Sequence, residues 1–299
     1  MTWLPRSGWR DRHHARAFSA LAFGAATVLL MSAAAAVHFS HAAEPAARPR
    51  DATTVVADSV GVGRMETVPS SLQAPALPPV ITAVQGLGDS VPAATGCSCT
   101  SFVTLLADRL TSVTSHSVAA LNEGQNGFTS DDLINQAWEQ GTRATPDRVT
   151  VITVGANDFD SSLLSSPGCT AADDMRCYQE TFVALASHLR ELLRLLAPLG
   201  QPHGPILVTD YWNVFLDGNV GDEQGTQYVS DSKDLTRRVN EIIADVTRER
   251  GLTFVDLDRP FNAHSQATTT LLLAPDGDHP SAEGHQLIAT LLQKSLNRL

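Results

Sequence analysis

From residue 80 onward, short apolar runs alternate with longer stretches in which apolar residues recur every three or four positions. The short runs are typical of buried strands, and the longer pattern is typical of amphipathic helices. The predicted strands are Val80–Gln85, Ser117–Leu121, Val149–Val154, Ile206–Thr209 and Thr253–Leu257. The predicted helices are Phe102–Leu110, Asp131–Glu139, Glu180–Leu196, Lys233–Arg250 and Ala282–Leu296.

This alternation predicts the fold class. Strands that alternate with helices favour parallel pairing through right-handed crossovers. We therefore expect a three-layer α/β/α domain with a five-stranded parallel sheet in the flavodoxin-like order 2-1-3-4-5. Ligands bind beyond the carboxyl ends of the strands in such sheets. Polar clusters that directly follow a strand are therefore the first candidates for a functional site.

The first 42 residues have the pattern of a secretory signal peptide. Several arginines precede an apolar run from Ala17 to Val37, and Ser40 and Ala42 are small residues suited to signal peptidase. An uncleaved membrane anchor is the alternative, because about 20 apolar residues can span a bilayer. Both interpretations place the rest of the chain outside the cytoplasm. We therefore expect a secreted protein.

The rest of the chain divides into a linker and a folded domain. Residues 43–79 are rich in Ala, Pro, Ser and Val without clear periodicity, which predicts a mostly disordered linker before a domain at residues 80–299. Hydrophobic residues make up 43% of the chain, enough for a sizeable core. The net charge of -11 argues against a nucleic-acid partner, because phosphate binding needs a basic surface.

The chain has four cysteines, and an even number in an exported protein suggests disulfides. We favour a bond between Cys169 and Cys177, because a short polar loop can bring them within bridging range. This leaves Cys97 with Cys99. Those two could also remain thiols or pair across to the other loop. Their spacing disfavours a zinc site built from all four.

Four polar clusters lie at predicted strand ends or just before the last helix. They are Gly86–Ser90, Asn122–Ser130, Gly155–Asp158 and Asp276–Pro280. Each alone is compatible with an ordinary turn. A serine nucleophile needs a base, and the base needs an orienting group. Asp276 and His279, three residues apart across a turn, can form such a carboxylate–imidazole pair.

Together and in this order, the clusters resemble the four motif blocks of the SGNH (GDSL) hydrolase superfamily of serine esterases and lipases. These blocks are GDS, a glycine-bearing loop, GxND and DxxHP. They appear here around Ser90, Gly127, Asn157 and His279, with Val91 at the variable fourth position of GDSL. The resemblance covers the whole predicted domain. It implies Ser90 as nucleophile, His279 as general base and Asp276 as the group that orients it.

The resemblance also implies an oxyanion hole made of the Ser90 N–H, the Gly127 N–H and the Asn157 side chain. Gly124 is the alternative donor in the second block. We prefer Gly127, because it lies just before the expected helix entry at Thr129.

These roles imply cleavage of carboxylic esters through an acyl-enzyme, without a metal ion or cofactor, and loss of activity at acid pH. We expect a monomer that acts on a small-molecule, lipid or polysaccharide ester. An acyltransferase on the same scaffold and a catalytically inactive carbohydrate-binding or adhesion domain are the alternatives. An α/β-hydrolase would have a Gly-x-Ser-x-Gly elbow near a strand end, and the predicted domain has none. A metallohydrolase would be supported by a histidine pair at metal-ligand spacing, which the predicted domain also lacks.

Other polar and aromatic residues receive simpler interpretations. Asp89 and Asp158 are expected to brace loops. Asp278 is set aside as an orienting group, because adjacent side chains usually point apart. We expect structural or solvated roles for His116, His188, His203, His264 and His285. Tyr211, Trp212 and Phe215 either wall an acyl pocket or belong to the core.

Overall fold

The computed structural model describes residues 80–263 and 266–299 of the 299-residue chain. The predicted signal or anchor segment (residues 1–42), the predicted linker (residues 43–79) and His264 lie outside the described residues. Within the described part, no helix is long and apolar enough to cross a membrane.

A parallel sheet forms the centre of the described domain, and its strand order is β2-β1-β3-β4-β5, which confirms the predicted topology. The strands are β1 (Ala83–Gly88), β2 (Ala119–Gly124), β3 (Arg148–Thr153), β4 (Ile206–Thr209) and β5 (Thr253–Val255). Gly88 at the end of β1 lies opposite Gly124 of β2 and Thr153 of β3. The carboxyl ends of these three strands are therefore level, and the loops that follow them leave one edge of the sheet.

Helices cover the sheet and complete the predicted three-layer α/β/α arrangement. They are α1 (Ser90–Ala93), α2 (Phe102–Thr114), α3 (Ser130–Gln140), α4 (Gln179–Leu196), α5 (Gly218–Glu223), α6 (Thr226–Glu249), α7 (Asp258–Asn262), α8 (Gln266–Leu272) and α9 (Ala282–Leu296). Helix α2 packs against α9, while α4 packs against both α3 and α6. The apolar stripe of α4 is buried, as its periodicity predicts.

Several element boundaries differ from the prediction. Strands β1 and β2 each end three residues later than expected, so that Gly86–Gly88 and Asn122–Gly124 belong to the sheet. Pairing between the strands overrides the low strand propensity of glycine and asparagine there. Helix α6 begins seven residues earlier than predicted, at Thr226. Helices α1, α5, α7 and α8 are too short for apolar periodicity to reveal them.

Strand β1 ends at a close backbone approach that only glycine allows. Gly88 has φ of 130°, and a Cβ atom at this position would lie 1.8 Å from the carbonyl oxygen of Thr153. The next N–H, that of Asp89, donates to the same carbonyl at 3.0 Å. The chain can therefore leave β1 towards Ser90 only with glycine at position 88.

We expect Gly88→Ala to destabilise the fold by about 3 kcal/mol or more, because the substitution adds a backbone clash to an unfavourable φ. Gly200→Ala is the matched control. Gly200 also has a positive φ, 76°, but its Cβ would meet nothing within 4 Å, so about 1 kcal/mol is expected there. Urea unfolding monitored by circular dichroism measures both values. Equal losses in the two variants would show that the approach to Thr153 is unimportant.

Candidate active site

The serine of the first polar cluster begins helix α1. Asp89 is the N-cap residue, and its Oδ1 accepts a hydrogen bond from the Val91 N–H at 2.9 Å. The N–H of Ser90, at the first helical position, has no acceptor inside the helix. The cap therefore fixes Ser90 at the edge of the sheet and leaves its backbone N–H available to a ligand.

Asp89 also connects the serine to the loop that follows β4. The residue is only 1% exposed, and its Oδ2 accepts a hydrogen bond of 2.5 Å from the hydroxyl of Tyr211. Burial raises the pKa of Asp89 to about 6, although the hydrogen bond from Tyr211 opposes this rise. Asp89 thus braces the loop after β1, as expected, by joining it to the loop after β4.

The second and third clusters are joined to each other. Asp158 accepts hydrogen bonds from both the N–H (2.9 Å) and the hydroxyl (2.5 Å) of Ser130, and burial raises its pKa. Asn157 Nδ2 donates to the carbonyl oxygen of Phe128 at 3.0 Å. Thr129 caps helix α3 in a capping box with Asp132. The loop that carries Gly127 is therefore held against the residues that follow β3.

The two glycines of the second cluster have different surroundings. A Cβ on Gly124 would lie 2.5 Å from the backbone nitrogen of Ala93, so Gly124 is needed for packing against α1. Gly127 has φ of 81°, and a Cβ there would meet nothing within 4 Å. Gly127 is therefore the open member of the pair, whereas Gly124 is part of a packed interface.

The fourth cluster forms a turn, the histidine loop (residues 274–280). His279 Nδ1 lies 3.0 Å from Asp276 Oδ2, and the other oxygen of Asp276 accepts the backbone N–H of His279 at 3.2 Å. The indole N–H of Trp212 donates to the carbonyl of Asp278 at 3.0 Å. The Asp217 N–H donates to Gly277 at 2.8 Å. The loop after β4 thus holds the aspartate–histidine pair in place.

Asp278 faces the same imidazole, so the expectation that its side chain points away from His279 is wrong. Its Oδ1 lies 2.8 Å from His279 Nδ1. The chain turns at Gly277, where φ is 83°, and this turn brings the carboxylates on both sides of it towards the ring. Contact with Asp278, together with that of Asp276 and against the opposing effect of burial, raises the pKa of His279 to about 9.

Ser90, Asn157 and His279 border one cavity of about 360 Å³. No hydrogen bond joins Ser90 Oγ to His279 in the described part of the chain. Catalytic hydrogen bonds are often long without substrate and tighten when it binds. The cavity wall contains both apolar and polar side chains: Phe159, Val214, Phe215, Leu216, Tyr228, Asn126 and Ser161.

The aromatic residues after β4 divide between core and cavity. Tyr211 and Trp212 are fully buried, and Trp212 stacks on Phe261. Phe215 borders the cavity. Leu216 also borders it, and the buried amide of Asn213 donates to the Leu216 carbonyl at 2.9 Å. No sequence pattern indicated either residue. Leu216 has an unusual φ of 73°, which no local sequence pattern indicates.

The cysteines lie in two short loops. The structure joins Cys97 to Cys99 and Cys169 to Cys177. The first loop is close to the histidine loop: a Cβ on Gly96 would lie 2.5 Å from Asp276 Oδ2 and 2.8 Å from His279 Cβ. Gly96 therefore packs directly against the aspartate–histidine pair.

The remaining described histidines contact protein groups away from the cavity. His116 Nε2 lies 2.8 Å from the Ile81 carbonyl, and His203 Nδ1 lies 2.8 Å from that of Gly204. His188 lies 2.9 Å from Ser130 Oγ. His285 is buried, and its Nδ1 accepts the Phe102 N–H at 3.3 Å. These contacts indicate structural roles.

Two groups of residues in the described part place three potential metal ligands within 4.8 Å of one another. One consists of Asp276, Asp278 and His279, which are the acid–imidazole residues of the histidine loop. The other consists of Cys97, Cys99 and His285, and both of its sulfur atoms belong to a disulfide. In each group at least two of the three potential ligands are therefore already bonded to each other.

Among solved structures, the acetylxylan esterase Axe2 from Geobacillus stearothermophilus is 18% identical, with a TM-score of 0.50 over 73% of this chain and 95% of that chain. The lipase/acylhydrolase from Enterococcus faecalis is 16% identical, with a TM-score of 0.48 over 72% of this chain and 95% of that chain. The likeness to Axe2 supports the fold. No curated protein matches the sequence.

The family model of the GDSL-like lipases and acylhydrolases matches residues 87–287, from the end of β1 into α9. This match covers more than half of the chain, and it includes all four polar clusters at the sheet edge except the first residue of the first cluster, Gly86. The resemblance noted in the sequence is thereby confirmed. The chain belongs to the GDSL-like lipase/acylhydrolase family and is a serine carboxylic ester hydrolase of the SGNH type.

Proposed function

We propose that this protein is an exported esterase that cleaves carboxylic esters through an acyl-enzyme on Ser90, with His279 as base and Asp276 as its orienting group. One observation carries most of the support. Ser90 and His279 border the same cavity, while Nδ1 of His279 faces Asp276 at 3.0 Å. This is the arrangement that a serine nucleophile requires of its base and of the group that orients the base.

The first half of the proposed reaction transfers the acyl group to the enzyme. Neutral His279 donates its Nδ1–H to Asp276, so Nε2 carries a lone pair. The Ser90 oxygen attacks the carbonyl carbon while Nε2 takes the hydroxyl proton. His279 then gives this proton to the alcohol oxygen as the C–O bond breaks. The alcohol leaves, and the acyl group remains on Ser90.

The second half uses water. His279 removes a proton from the water molecule as its oxygen attacks the acyl carbon, and the proton then returns to Ser90 as the acyl–oxygen bond breaks. The products are a carboxylic acid and the original enzyme. The same groups serve both halves, because each half forms and collapses a tetrahedral intermediate.

The oxyanion of that intermediate needs donors, and we assign the N–H groups of Ser90 and Gly127 and the amide of Asn157. One amide hydrogen of Asn157 is donated to the Phe128 carbonyl, which orients the side chain. The second hydrogen remains for the oxyanion. Donors fixed in this way stabilise developing charge without reorganising during the reaction.

The cavity supports an ester of modest size at the reacting centre. Its volume of about 360 Å³ is near the lower end of small-molecule sites, which span roughly 300–1,000 Å³. Phe215 and Leu216 offer an apolar wall for part of the substrate, and Asn126 and Ser161 offer polar groups. We infer a small-molecule ester, or an ester group at the edge of a lipid or polysaccharide.

Export is supported by two independent features. The first 42 residues have the pattern of a signal peptide, with an uncleaved anchor as the alternative. The described domain contains two disulfides, which persist in oxidising compartments. N-terminal sequencing of the secreted protein tests this proposal, and a mature chain that begins near residue 43 is the expected result.

Ser90→Ala should lower kcat for p-nitrophenyl acetate by about 10³- to 10⁶-fold, because the nucleophile is lost while the oxyanion donors remain. A fluorophosphonate should form one adduct, on Ser90, and chelators should leave the rate unchanged. Ser112→Ala, on the exposed face of α2, is the matched control and should behave as wild type. Wild-type turnover by folded Ser90→Ala would remove this residue from the mechanism.

Asn157→Ala should lower kcat by roughly 10²- to 10³-fold, the usual effect of removing one oxyanion donor, and should change KM little. Asn135→Ala provides the control, because Asn135 lies on the exposed surface of α3 and contacts Asp131. Steady-state kinetics on the same ester separates the two parameters. A rise in KM alone would instead assign Asn157 to substrate binding.

The activity should rise with pH up to about 9. Asp278 and Asp276 raise the pKa of His279 to about 9, and below this pH the protonated ring cannot accept the proton of Ser90. We therefore expect kcat/KM to fall roughly tenfold for each pH unit below the pKa. Initial rates from pH 5 to 10, corrected for spontaneous hydrolysis with Ser90→Ala, measure this profile. A rising limb centred near 6.5, the ordinary value for histidine, would contradict the expectation.

A further inference from the structure

We propose that Asp278 is a second positioning residue for the base, so that two carboxylates, Asp276 and Asp278, share the orientation of His279. The inference rests on the proposed role of His279 as base. It adds a partner beyond the Asp-x-x-His pair that the sequence motif implies.

The distances support a shared arrangement. His279 Nδ1 lies 3.0 Å from Asp276 Oδ2 and 2.8 Å from Asp278 Oδ1. Both oxygens are within reach of the single N–H that the neutral ring carries at this nitrogen. In the structure Nδ1 is hydrogen-bonded to Asp276, while Asp278 Oδ1 lies close enough to the same nitrogen to share its proton.

The two carboxylates differ in what else they contact. Asp276 Oδ1 accepts the backbone N–H groups of His279 and Asp278, so Asp276 also shapes the turn. Asp278 Oδ1 is buried and has no hydrogen-bond partner among the described residues. An unpaired buried carboxylate oxygen is costly, and His279 Nδ1, at 2.8 Å, is a group that can satisfy it. The arrangement thus gives Asp278 one main partner.

The backbone of Asp278 is held so that its side chain stays beside the ring. Its carbonyl accepts the indole N–H of Trp212, a fully buried side chain. On one side of it, the Gly277 carbonyl accepts the Asp217 N–H at 2.8 Å. On the other, the His279 carbonyl accepts the Ala274 N–H at 2.7 Å. Three consecutive carbonyls are therefore fixed, and the contact with His279 is built into the loop.

The negative charge of Asp278 affects the protonation of His279. When His279 takes the proton from Ser90, two carboxylates lie beside Nδ1 of the imidazolium, and their negative charges stabilise it. Asp89 adds a more distant negative charge, while His285 on α9 remains neutral because burial lowers its pKa to about 4. The same contacts raise the pKa of His279 and hold more of the base protonated at neutral pH. Asp278 thus strengthens the base and moves its working range towards alkaline pH.

The experiment is a double-mutant cycle on the full protein with Asp276→Asn, Asp278→Asn and the double variant. Asparagine keeps the size of aspartate and removes the charge. Glu283→Gln is the matched control, since it removes one exposed negative charge from the first turn of α9, where Glu283 contacts Ser281. The readouts are kcat, KM, the pH profile of kcat/KM, and the NMR titration of the His279 ring without substrate.

If the carboxylates share the base, Asp276→Asn should lose about 10- to 100-fold in kcat, while the double variant should lose about 10⁴-fold. Asp278→Asn should lower the pKa of His279 in the NMR titration and shift the rising limb of the profile by the same amount. Glu283→Gln should change neither. KM should remain similar throughout, because the aspartates act through His279.

The inference would be overturned by an unchanged His279 titration in Asp278→Asn, or by a loss of about 10⁴-fold in Asp276→Asn alone. It would also be overturned if Asp278→Asn changed only KM, since Asp278 would then contact substrate in the cavity. Failure of the proposed function has a separate signature. In that case fluorophosphonate would not label Ser90, although the NMR titration of His279 would still respond to Asp278→Asn.

Discussion

The site depends first on the parallel pairing of β1 between β2 and β3. Because Gly88 lies level with Gly124 and Thr153, the loops after the three strands leave the sheet side by side. Ser90, Asn126 and Asn157 border one cavity for this reason, although they are far apart in the sequence. Loss of register in any one strand would move a whole loop, and with it one of the residues that border the cavity.

Buried polar contacts then fix the positions of the loops that leave this edge of the sheet. Asp89 joins the start of α1 to Tyr211, and the next residue, Trp212, reaches the histidine loop through its indole N–H. Asp158 joins the end of β3 to the start of α3 through Ser130. These carboxylates lose hydration on burial, and their hydrogen bonds offset this cost only when every loop is in place. The network therefore favours one arrangement of the loops over the many that a flexible edge would permit.

Periodic patterns in the sequence predict many of the helices and strands. The apolar stripes of α4 and α9 are long enough to predict both helices within a residue, and the alternation of strands and helices predicts a parallel sheet. The ends of β1 and β2 were missed because pairing on the sheet overrides local propensity. The position of Asp278 depends on the turn at Gly277 and on a hydrogen bond from Trp212, a residue distant in sequence. The left-handed Leu216 and its contact with Asn213 also arise only from tertiary packing.

The small size of both disulfide loops has a consequence for how the chain reaches its native state. The bonded cysteines are separated by only 2 and 8 positions, so neither bond ties together two strands of the sheet. Cross-links over such short loops remove less entropy from the unfolded chain than cross-links over long loops do. The order of the strands can therefore be established before oxidation, and each bond then closes within a local segment. Oxidation therefore constrains two individual loops and places no constraint on which strands pair.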